Sequence, residues 1–101
     1  MVSTPDEWWL ATLGRTIVWA RLRVREAGTA EVFDSDGNTL AYDSEDSARA
    51  ALMDAEFIPL DGLDAEDAFD RGFVLEEIEP PQAVDEAMLR ELMVQRLPQR
   101  H

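Results

Sequence analysis

The chain has 101 residues, 46% of them apolar, and a net charge of −13 from 22 acids against nine bases, all nine of them Arg. That length suits one domain, 1–101, around a single core, and the apolar content excludes wholesale disorder despite the charge. With no Cys and no Lys, and the terminal His101 as the only imidazole, disulfides, thiolate nucleophiles, Cys-based zinc sites and lysine bases are excluded.

The opening residues Met1 to Glu7 lack the basic and apolar regions of a signal peptide. No stretch reaches the roughly 20 apolar residues of a membrane span, so a cytoplasmic protein without membrane contact is expected. Residues 1–6 and 98–101 are expected to be disordered ends.

Residues 8–13 and 16–25 flank Gly14-Arg15 and read as a β-hairpin. The second run alternates, which predicts Val18, Ala20, Leu22 and Val24 in the core. Ile17, Trp19, Arg21, Arg23 and Arg25 then form an outer face. A second hairpin, 30–42, surrounds Asp34-Ser35-Asp36-Gly37-Asn38. A two-residue Asp36-Gly37 turn there places Phe33 opposite Leu40. The short link 26–29 favours a four-stranded antiparallel meander.

From Asp43 the period changes. Ala48, Ala51, Leu52 and Ala55 recur at helical spacing, predicting a helix over 44–56 that covers one sheet face. Phe57 to Leu60 should be extended because Pro59 interrupts it. A short helix over 64–71, capped by Asp64 and stopped at Gly72, should turn Ala65, Ala68 and Phe69 inward. Residues 73–78 read as a further short strand. Pro80-Pro81 make 79–83 a linker, and a C-terminal helix over 84–97 is favoured over the strand that 92–97 also fits. That segment could dock on its own domain or on a partner, and deletion of 84–101 is expected to leave a folded domain. The fold class is therefore α+β.

Three groups could bind something. Adjacent Trp8 and Trp9 must point to opposite faces, one inward and one available for contact. Trp19, Arg21, Arg23 and Arg25 combine the aromatic and Arg groups that recur at interface hot spots and on single-stranded nucleic acid. An outer face whose Arg groups pair with neighbouring carboxylates is the favoured reading of that row. Asp61, Asp64, Glu66, Asp67 and Asp70 form the densest acidic run, better explained as cap and solvated face than as cation ligands. The Asp34–Asn38 stretch resembles part of a calcium loop only out of register.

Charge is unevenly distributed. Residues 31–86 carry 18 acids and two Arg, whereas 1–30 and 87–101 are close to neutral. A field of that sign disfavours direct nucleic-acid binding and favours a basic protein partner, with self-association a further option. The expectation is a non-catalytic protein-binding module, comparable to immunity or inhibitor proteins in size and charge alone, with no cofactor and no metal. A nucleic-acid mimic, a structural accessory subunit and a carboxylate-based cation-binding protein are the alternatives.

Overall fold

Gly14 and Arg15 join the first two strands, β1 (Glu7–Leu13) and β2 (Thr16–Val24), with Leu13 facing Thr16 across the turn. Gly14 has a φ of 59°, the positive value that a tight hairpin turn requires at its first central position. The computed structural model describes residues 6–97. The ends expected to be disordered lie outside these residues, except Asp6, which pairs with Arg23 at 2.9 Å.

The second hairpin comprises β3 (Ala30–Phe33) and β4 (Thr39–Tyr42). Its register corrects the two-residue turn: Phe33 faces Thr39, and Leu40 faces Val32. The Asp34 carboxylate accepts from the amides of Asp36 and Asn38, both at 3.0 Å, while the Gly37 amide donates to the Asp34 carbonyl. These bonds favour a longer loop, with Gly37 taking the left-handed conformation (φ 86°) that closes it.

The sheet runs β4-β3-β2-β1-β5, which contains the expected meander, and β5 is the two-residue Ile58–Pro59. A sixth strand, β6 (Val94–Arg96), pairs with Thr16–Val18 of β2. At nine residues β2 is long enough to share one edge, offering its first part to β6 and its last to β3.

Helix α1 (Glu45–Asp54) begins at Ser44, whose side chain accepts from the Ser47 amide at 3.1 Å, with Glu45 and Asp46 at its positive end. It lays Ala48 and Leu52 on Trp9, Ala20, Leu22, Ala30 and Val32. The helix ends with Phe57 N–H bonded to the Leu52 carbonyl and Glu56 N–H to Met53, the six-residue closure that normally places Gly in the left-handed position. Here that position is Glu56, at φ 68°. Glu56→Gly is therefore expected to stabilise the fold by about 1 kcal/mol in urea unfolding.

The opposite sheet face is covered as well, which overturns the expected outer face. Helix α2 (Ala65–Asp70), a single 3-10 turn at Leu75–Glu77 and helix α3 (Glu86–Leu92) form a layer there. Ala68, Phe73, Leu89 and Met93 from this layer pack on Leu10, Ile17, Trp19 and Phe33. Ile17 and Trp19 are fully buried, while Val18 and Val24 are only half-buried. Both alternating sets of β2 are thus interior along much of its length, as in a three-layer arrangement.

Four further differences concern the second half of the chain. Residues 73–78 hold the 3-10 turn rather than a strand. In α2 only Ala68 turns inward, leaving Ala65 exposed and Phe69 68% exposed. Within 79–83 Pro81 is buried, while Glu79, Gln82 and Ala83 are exposed. The expected C-terminal helix stops at Leu92, and the chain then reverses into β6.

Candidate functional site

The Arg row on β2 is the first candidate, and the fold neutralises it from within. Arg21 lies between its register partners Trp8 and Phe33, its guanidinium 5.1 Å from the Phe33 ring centroid. It is 8% exposed and donates to Glu86 at 2.6 Å. Arg23 holds Asp6 through two nitrogens, at 2.9 and 3.1 Å, and Arg25 holds Glu31 at 2.9 Å. This is the pairing with neighbouring carboxylates that the sequence favours.

Trp19 is fully buried and meets Trp8 edge-on, with ring centroids 6.0 Å apart, so it presents nothing to a partner. The Trp19 Nε1 and Arg21 Nε donors have no partner among the described groups, and each such donor costs about 1–3 kcal/mol. Of the adjacent pair, Trp9 is the interior residue and Trp8 the half-buried one. Trp9 donates to Glu7 at 2.8 Å and lies 5.3 Å beneath the Arg49 guanidinium, which itself holds Glu7 at 2.7 Å.

The hydrogen bond from Arg23 holds the Asp6 carboxyl below its ordinary value, against a smaller opposing effect of burial. A depressed carboxyl contributes stability above its unfolded pKa and loses it as pH falls through the folded value. Asp6→Asn is thus expected to lower stability at neutral pH and to match the wild type once acid has protonated Asp6. Chemical denaturation across an acid series checks this.

With four Arg paired internally, the remaining surface is acidic, most of all along 61–79. This segment carries Asp61, Asp64, Glu66, Asp67, Asp70, Glu76, Glu77 and Glu79 against Arg71 alone. Asp64 caps α2 by accepting from the Asp67 amide at 2.8 Å, as its sequence position implies. Asp61, Glu66, Asp67 and Asp70 are exposed, and none of the five predicted acids here forms an ion pair within the described chain. Among the described residues no group of three or more His, Asp or Glu could hold a metal ion.

Sequence reasoning missed two features of this layer. The first is a groove of about 460 Å³ where the 3-10 turn and Pro80-Pro81 meet the C-terminal segment, lined by Glu76, Glu77, Glu79, Leu92 and Gln95. Reading 73–78 as a strand would have sent its glutamates to alternate faces. The second is Phe69, whose exposed ring stands among the α2 carboxylates. The layer therefore combines a dense negative field with an apolar contact, chemistry suited to holding cationic side chains on apolar stems.

Among the described residues no helix is long and apolar enough to cross a membrane. Compared with protein-family models, curated proteins and solved structures, the chain gave no match.

Proposed function

We propose that the chain is a non-catalytic protein-binding module that recognises a basic partner surface through the layer formed by residues 61–79. The observation that carries this reading is the division of charge: Arg21, Arg23, Arg25 and Arg49 are paired internally, whereas Asp61, Asp64, Glu66, Asp67 and Asp70 form no ion pair within the described chain. Long-range attraction would speed encounter, and Phe69, exposed among the α2 carboxylates, would supply desolvated contact and residence time.

The proposal is tested with a Lys- and Arg-rich peptide as probe, by calorimetry across a salt series. Affinity should fall steeply with salt for the wild type. Neutralising Glu76 and Glu79 to Gln should flatten that slope, while Phe69→Ala should weaken binding about tenfold at every salt concentration, since its contact is not ionic. Unchanged affinity in both variants would count against the layer as the binding surface.

A further inference from the structure

Helix α1 is too short for the sheet it covers. Its ten residues span about 15 Å, while the nine residues of β2 extend about 30 Å. The hairpin end of that face lies beyond the helix. There Val18 stands opposite Val94 in register, with Leu13 beside them. With Leu13 and Val18, Met53 of α1 and Phe57 just beyond it line a cleft of about 670 Å³. Leu13, Met53 and Val94 are 70%, 57% and 50% exposed. Large apolar side chains left this exposed around one cleft are available for contact with a partner.

Its charges identify the occupant. The cleft is lined by one anion, Glu56, and one cation, Arg71, and neither forms an ion pair within the described chain. Glu56 is held there at a strained positive φ. Arg96, opposite Thr16, adds positive charge at this end. A basic partner suited to the 61–79 layer would meet these Arg groups. A two-fold axis uses one patch twice, so a patch with one unpaired charge of each sign is complementary to itself.

We propose that this hairpin end is a homodimer interface, in which a second copy of the chain covers Leu13, Val18, Met53 and Val94. Glu56 of each copy then pairs with Arg71 of the other. The cleft takes Arg71 from the 61–79 segment but shares no lining residue with the groove at Glu76 and Glu79, so peptide binding that survives Leu13→Arg separates the two proposals.

Sedimentation equilibrium over a concentration series tests it. The wild type should approach twice 11.4 kDa. Leu13→Arg should be monomeric with an unchanged melting temperature, because Leu13 makes little of the core. Glu56→Arg and Arg71→Glu should each weaken the dimer about tenfold, and the double variant should recover most of that loss. A wild type that stays monomeric to its solubility limit would overturn the proposal. So would a dimer indifferent to Leu13→Arg, or a double variant no better than the singles.

Discussion

Deletion of residues 84–101 is expected to leave a chain that does not fold. Leu89 and Met93 are buried in the core opposite α1, and the Met93 carbonyl accepts from the Trp19 amide at 2.8 Å. Truncating one buried Leu or Met costs about 2–5 kcal/mol, and a domain holds only about 5–15 kcal/mol in total. The deletion removes both side chains and strips β6 from the first half of β2, exposing Ile17 and Trp19 to water. Circular dichroism and amide dispersion check it. A folded, cooperatively melting product would show that the last segment is dispensable to the fold.

The second large effect separates the two adjacent tryptophans. Trp9→Ala is expected to cost about 3–5 kcal/mol, in line with other buried aromatic truncations. It empties the centre of the contact with α1 and removes the ring beneath Arg49. For a domain of this size each kcal/mol lowers the melting temperature by about 4–8 °C. Trp8→Ala should cost about 1–2 kcal/mol, from a half-buried ring and its edge-on contact with Trp19. Urea unfolding of the two variants side by side checks the contrast, and equal losses would contradict the assignment of Trp9 to the interior.

Much of the fold was legible because its signals are local. The Gly14-Arg15 turn, the alternation of β2, the change of period after Asp43, the Asp64 cap and the break at Pro59 each act within a few residues, and they predicted both hairpins, α1, α2 and the extended segment. What escaped depends on distant pairing. β2 alternates between an apolar set and a mixed set of Ile17, Trp19 and Arg groups, which local pattern reads as outside. Only the register, with Leu10 beside Trp19 and Phe33 beside Arg21, assembles an apolar block on that side that needs its own cover.

The C-terminal turn has the same origin. Leu89, Leu92 and Met93 keep helical spacing, but the edge of β2 at Thr16–Val18 requires backbone partners, and Val94–Arg96 supply them. Phe69 illustrates a limit of periodicity in a short helix. With six residues and one inward position at Ala68, the next residue is rotated about 100° away and faces solvent. For the candidate site, the acidic run and its cap were readable from spacing. The groove at Glu76 and Glu79 was not, because it needs the buried Pro81 and the return of the last segment.

Backbone amide shifts of the labelled protein during titration with a Lys- and Arg-rich peptide test the central claim most directly. At low salt the perturbed amides should cluster in 61–79, including Phe69, and in the groove wall at Leu92 and Gln95. The shifts should collapse as salt rises. Perturbations spread evenly over every acidic element, with Glu45, Asp46, Asp34 and Asp36 moving as much as Glu76 and Glu79, would contradict it.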